Sequence, residues 1–194
     1  MLTATQIQWR HDVAAARSEA NKAGNMVLIE VFSPKCISCK NMEERTWTDE
    51  SIQNQLETNF VPVQIDVLQH EEAMKPPLLA IWTPTLIAMC PDGNIHRKWT
   101  GFLPPREFLG ELALARVQYA MARQAFEEAH EAAHQAVQIT EGDDLRNSEA
   151  HYWHAVSAYK KSDNQDLLIQ GWKQLLQEHP NSEWAKKIDF VAEM

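Results

Sequence analysis

Cysteine is scarce in this 194-residue chain, which has only Cys36, Cys39 and Cys90. Three cysteines cannot staple a small fold with disulfides, so stability has to come from an ordinary core. No apolar run approaches the roughly 20 residues of a membrane-spanning helix. Cationic side chains number 18 against 27 acidic ones, a net charge of −9. That balance argues against nucleic-acid or anionic-membrane surfaces, which need clustered Lys and Arg. The opening stretch, MLTATQIQWRHDVAAARSEA, carries charges throughout and lacks an apolar signal core. The expected setting is therefore cytoplasmic, unless a leader has been removed. With 44% hydrophobic and 23% charged residues, the composition is that of a globular chain long enough for one large domain or two small ones.

The hydrophobic pattern of the first half alternates between helix and strand. Residues 6–23 place Trp9, Val13, Ala16 and Ala20 at helical spacing, and Gly24 ends the pattern. Residues 26–32, MVLIEVF, read as a buried strand with one acid inside. A helix is expected over 36–46, and a second behind a Thr48/Asp49 cap, with Ile52, Leu56 and Phe60 turned inward. Residues 60–67 form a further strand, and 69–80 a Pro-rich loop with one helical turn. Residues 83–90 form a strand, PDGN makes a tight turn, 95–100 return as the hairpin partner, and 104–115 start a helix at a proline. This order predicts an α/β fold, a mixed sheet flanked by helices.

From about Arg116, Gly and Pro nearly vanish and Ala, Gln, Glu and His dominate. Helical periodicity runs through Tyr119, Phe126, Ala129, Ala133 and Val137, then over 148–161, 166–178 and 183–191, with TEGDD, SDNQD and HPNS as breaks. The expected division is residues 1–116, α/β, and 117–194, all-helical, with the last helix of the sheet running on into the second part.

Two of the three cysteines lie close together in SPKCISCKNME. A Cys36 that opens a helix after a strand meets unpaired backbone amides, which stabilise a thiolate, and Cys39 lies one turn on along the same face, within disulfide range. Lys35 and Lys40 add nearby positive charge. This arrangement suits thiol–disulfide exchange, with Cys36 attacking and a more buried Cys39 resolving the mixed disulfide. Glu30 interrupts its strand six residues earlier. Buried behind the cysteines, it would carry a raised pKa and could take a proton from Cys39; on an edge position it would simply face water. Zinc is the competing reading of the pair, but a structural site wants four ligands, and Cys90 is alone and reads as a small hydrophobe in a strand. No metal or cofactor is assigned.

VLIEVF, CISC opening a helix, VPVQIDV, TPTLIAM, PDGN and TGF, in that order and at that spacing, resemble the thioredoxin fold over residues 26–115. The Trp9 helix and NMEERTW with the following DESIQ look similar to the thioredoxin-like branch that includes the C-terminal domain of the bacterial disulfide reductase DsbD. The resemblance implies that Cys36 is the nucleophile, Cys39 the resolving thiol and Glu30 the buried acid. It implies a cis Pro84 against the cysteines, with Thr83 offering backbone hydrogen bonds to an extended substrate. Gly101 would lie on the same groove, and Trp82 and Phe102 would wall it. Lys-Cys-Ile-Ser-Cys replaces the family's common Trp-Cys-Gly-Pro-Cys, so Ile37 and Ser38 leave the direction of electron flow open, and the helix lacks the family's kinking proline. The implied partners are protein disulfide substrates and a reductase or thiol donor.

The helical half holds HEAAH, His130 to His134, which matches a zinc-peptidase pattern with Glu131 as base. No third ligand is evident, and His130 also falls beside an apolar face. His151 and His154, at i and i+3, could join a helical metal site. EAHYWHAVSAYKKSDNQDLLIQGWKQLLQEHPNS resembles a degenerate tetratricopeptide repeat, with Val156 and Leu168 where small residues are expected. A docking surface for a protein partner and a cap that stabilises the first half are both open readings. Two functions follow: a thiol–disulfide oxidoreductase, or a thioredoxin-like adaptor or chaperone whose helical half binds a partner while redox activity is minor.

Overall fold

Strand β1, Met26–Phe32, runs through the centre of a four-stranded sheet in the computed structural model, which describes residues 7–194. It is apolar on both faces because it is covered on both. Val27, Ile29 and Val31 enter one core layer with Ala16, Ala20, Val63 and Ile87, whereas Leu28 and Glu30 alternate to the other face. Strand β2, Phe60–Asp66, pairs with β1 in parallel, with Glu30 opposite Gln64. Strand β3, Thr85–Met89, is antiparallel to β1, and β4, Ile95–Thr100, is antiparallel to β3, giving the order β2-β1-β3-β4. Each fully buried Leu, Ile or Phe in these layers contributes roughly 1.5–3 kcal/mol relative to exposure.

Helix α1, Val13–Ala23, precedes the sheet and ends at Gly24 in the left-handed conformation. The expected helix over 6–23 is therefore shorter; Gln6 lies outside the described residues. Asp12 caps α1 by accepting the Ala15 amide at 2.9 Å. Arg10 before it is extended and pairs with the edge of β2, donating to Pro62 O at 2.9 Å and accepting from Gln64 N at 2.8 Å. Trp9 is then free to meet Trp47 edge to face, with ring centroids 5.2 Å apart.

The helix expected over 36–46 is two segments. Helix α2, Ile37–Asn41, passes into a π-helical turn, Met42–Thr46. Met42 and Thr46 are both fully buried there, and the Thr46 hydroxyl donates to Leu103 O at 2.7 Å. Helix α3, Glu50–Asn59, follows, with Asp49 capping the Ser51 and Ile52 amides. A single 3-10 turn, Glu71–Met74, lies in the Pro-rich loop.

Two compact units make up the chain, Met1–Phe108 and Leu109–Met194. Helix α4, Pro105–Ala122, is continuous across residues 108 and 116. In the first unit Phe108 packs edge to face on Trp47 and Trp99 at 5.0 and 5.5 Å.

The second unit continues with α5, Phe126–Ile139, α6, Asp144–Ser162, α7, Gln165–Glu178, α8, Glu183–Lys186, and a terminal 3-10 turn, Asp189–Glu193. Helix α6 starts earlier than the expected residue 148 because Asp143 caps it, accepting the Arg146 amide at 3.3 Å. The last expected helix, 183–191, is an α turn followed by the 3-10 turn. Alanines 132, 133 and 136 pack with Leu114, Val117 and Ala150 in one cluster. Tyr152 stacks on Trp172 at 5.4 Å beside a second cluster around Leu175.

Candidate thiol–disulfide site

The chain leaves β1 through Ser33 and Pro34 and turns into α2 at Cys36. The Cys36 amide donates to Ser33 O at 3.0 Å, which closes the turn. Cys36 is the N-cap of α2, with extended backbone, and its sulfur accepts the Cys39 amide hydrogen at 3.2 Å. The carbonyl oxygen of Thr83 lies 3.2 Å from the same sulfur and accepts from the thiol form. Cys36 is half-buried, Cys39 is buried, and both are free thiols.

The two thiols are driven in opposite directions. Partial burial pushes the Cys36 thiol up, but hydrogen bonding to the Cys39 and Thr83 side chains and to the Cys39 and Ser38 amides outweighs it, so its pKa falls below the usual 9.0. Burial pushes Cys39 up to about 12; its hydrogen bond to Cys36 and the charges of Cys36 and Glu30 add to this, against a backbone bond from Ser33. Lys35 and Lys40 are both exposed.

Glu30 is 1% exposed. Burial raises its pKa from 4.5 to about 7, helped by the charge of Glu43 and opposed by Gln64 and Trp47. Gln64 Nε2 donates to Glu30 Oε2 at 2.9 Å, whereas the Trp47 indole contact falls short of a hydrogen bond. Gln64 escaped the sequence reading, although a polar residue inside an apolar strand was visible there, as Glu30 was in its own strand.

The Thr83–Pro84 bond is cis. Gly101, at φ +98°, donates its amide to Pro84 O at 2.8 Å, and no atom would crowd a Cβ there, so its backbone conformation alone favours glycine. The Thr85 hydroxyl donates to Trp82 O at 2.6 Å. An open groove of about 500 Å³ runs past the sulfur, lined by Lys35, Cys36, Ile37, Ile81, Trp82 and Thr83 among others. Of the expected wall residues, Trp82 lines this groove and Phe102 does not: its ring lies under the Arg45 guanidinium at 4.8 Å. Ile37, Ile81 and Trp82 are 78, 82 and 71% exposed, an apolar rim beside the reactive sulfur. Ile81 carried no signal in the sequence beyond its neighbourhood to Trp82.

Cys90 is buried directly after β3. In the helical unit, His154 stacks on His130 at 4.6 Å and lies 5.8 Å from His134, so the HEAAH pair does meet a third histidine. Their ligand atoms do not gather into a metal-sized group among the described residues; the group that does is His151, Glu178 and His179.

The sequence model for the thioredoxin-like domain matches residues 13–116. The chain is 29% identical over 96 residues to the thiol:disulfide interchange protein DsbD of Colwellia psychrerythraea (strain 34H), a match that covers 46% of this chain and 16% of the relative. It is 30% identical over 95 residues to DsbD of Actinobacillus pleuropneumoniae serotype 5b, with the same coverage of 46% and 16%. Among solved structures, DsbH oxidoreductase superposes with a TM-score of 0.50 at 13% identity, over 58% of this chain and 85% of that one, a likeness of fold alone.

Proposed function

The chain belongs to the family of thioredoxin-like domains, and on that premise we propose that it is a thiol–disulfide oxidoreductase acting on protein disulfides through Cys36 and Cys39. The observation that carries this reading is the split between the thiols. One is accessible and acidified by the bonds it accepts, and the other is buried and held protonated. The named activity of the DsbD relatives, disulfide interchange, agrees with it.

In the reductive direction the Cys36 thiolate attacks one sulfur of a substrate disulfide. A Cys36–substrate disulfide forms and the other substrate sulfur leaves as a thiolate. Cys39 must then lose its proton, and its high pKa makes this the difficult step. Glu30 is the acid whose charge is felt at Cys39 and whose own pKa, about 7, suits a proton acceptor near neutrality. The Cys39 thiolate attacks the Cys36 sulfur and expels the second substrate thiolate. Two electrons have passed from the dithiol to the substrate, and a reductase or thiol donor must restore the pair. The groove beside Thr83, with its apolar rim, supports binding of an extended polypeptide next to Cys36.

Insulin-disulfide reduction by the purified chain tests the reading. Turnover above that of dithiothreitol alone is expected, with loss of turnover in Cys36→Ser and accumulation of mixed disulfides in Cys39→Ser. Turnover that survives Cys36→Ser would exclude the assigned nucleophile.

A further inference from the structure

Asp144, Asn147 and His151 are spaced three and four residues apart, so they form one stripe along α6. That stripe faces the end of α7, where Glu178 and His179 stand. His179 Nδ1 is 2.6 Å from the Asp144 carboxylate, which accepts its hydrogen. The opposite ring nitrogen, Nε2, is 2.9 Å from the side-chain oxygen of Asn147. The Asn147 amide nitrogen donates to Val137 O and Thr140 Oγ1 at 2.8 and 3.0 Å, which fixes the orientation of the amide. With Nδ1 protonated toward Asp144, a neutral His179 would put a lone pair against a carbonyl oxygen. Two acceptors at hydrogen-bond distance need a positive centre between them, a proton or a metal ion.

The surroundings suit the metal. His151 Nε2 lies 3.3 Å from Glu178 Oε2, and the ligand atoms of His151, Glu178 and His179 all fall within 4.8 Å of one another. The side chains of His151 and His179 are only 14 and 13% exposed, so both rings are already ordered. The C-terminal end of a 14-residue helix adds a partial negative charge at the same place. Asp144 stands where an outer carboxylate orients a ligating imidazole.

We propose that His151, Glu178 and His179 bind a divalent metal of the zinc class, with Asn147 Oδ1 completing the set, and that the ion clips α6 to α7. Two imidazoles and two oxygens suit a borderline cation better than calcium or magnesium, which take more oxygen ligands.

The test is a zinc titration of the full chain carrying Cys36→Ser and Cys39→Ser, which removes the paired thiols as competing ligands and leaves only the buried Cys90. Calorimetry is expected to give one zinc per chain. Nitrogen NMR is expected to show Nε2 ligation at both histidines with the His179 Nδ1–H retained, and zinc is expected to raise the thermal midpoint. His151→Gln and Glu178→Gln should weaken binding at least tenfold, Asp144→Asn roughly 10- to 100-fold, and His154→Gln should leave it unchanged. Glu178 is half-exposed, so its variant keeps the test decisive if a histidine variant fails to fold. Zinc that leaves both ring spectra unmoved, or that binds Glu178→Gln as tightly as the parent, would overturn the site and leave a proton as the positive centre on His179.

Discussion

Gln64 donates to Glu30 across 2.9 Å, and the two are direct partners in the parallel register of β1 and β2. The bond gives the acid behind the cysteines a close amide donor from a neighbouring strand. It favours the carboxylate, while burial favours the neutral acid more strongly.

Replacing Gln64 with Leu removes a donor to the charged form, so the Glu30 pKa should move above about 7. If ionised Glu30 accepts the Cys39 proton, the single-turnover rate of mixed-disulfide resolution rises with pH through this pKa, and in Gln64→Leu that rise shifts to higher pH. The rate well above the transition should be close to that of the parent. A uniform loss of rate with an unmoved pH profile would assign Gln64 to packing alone.

Glu30 also sets a pH dependence of stability. Its folded pKa, about 7, stands above its ordinary value of 4.5. Below pH 4.5 both folded and unfolded chains hold the proton and there is no cost. Between about 4.5 and 7 only the unfolded chain ionises, so stability falls as pH rises, and above 7 the loss levels at about 3 kcal/mol. Glu30→Gln should therefore match the parent at pH 4 and be more stable by up to about 3 kcal/mol at pH 8 in urea unfolding, while resolving mixed disulfides more slowly. Equal stability changes at both pH values would mean that the carboxyl group is not held neutral.

Alkylation by iodoacetamide should modify Cys36 first, with a midpoint below the usual thiol value, and leave Cys39 unmodified in the folded chain. Cys39→Ala keeps the backbone amide at 3.2 Å but removes one side-chain hydrogen bond to the thiolate. The Cys36 pKa should then move up, as read from ultraviolet thiolate absorbance against pH. An unchanged midpoint would place the stabilisation in the amides and Thr83 rather than in the Cys39 side chain.

The site was legible in the sequence wherever chemistry is local. Cys36 and Cys39 share a helix start, and Glu30 stands out because it is an acid in an apolar strand. The mixed sheet and its hairpin followed from the alternation of strands and helices and the PDGN turn, whereas the strand order came only with the structure. What was missed depends on distant parts of the chain. The Arg10 backbone finds its partners on β2, which cuts α1 short of Trp9, and Phe102 turns under Arg45 rather than toward the groove. Likewise His151 faces Glu178 and His179, 27 and 28 residues on, whereas spacing alone offered it His154.

Gly171 shows the same dependence and yields the sharpest packing test. A Cβ added there would sit 2.6 Å from Ala155 Cβ and 3.3 Å from its Cα, so α6 and α7 approach closely at this pair. On an isolated helix, Gly→Ala gains about 1 kcal/mol. Here the obstructing atoms are a methyl group and backbone, neither of which can rotate away, and overpacking of this kind costs roughly 1–3 kcal/mol. Gly171→Ala should therefore fail to stabilise the chain and should lose on the order of 1 kcal/mol net. Adding Ala155→Gly removes the clashing methyl, so the double variant should be more stable than the sum of the two single changes. Additive effects in urea unfolding would show that the helices move apart at no cost and that the small residues are not what sets their spacing.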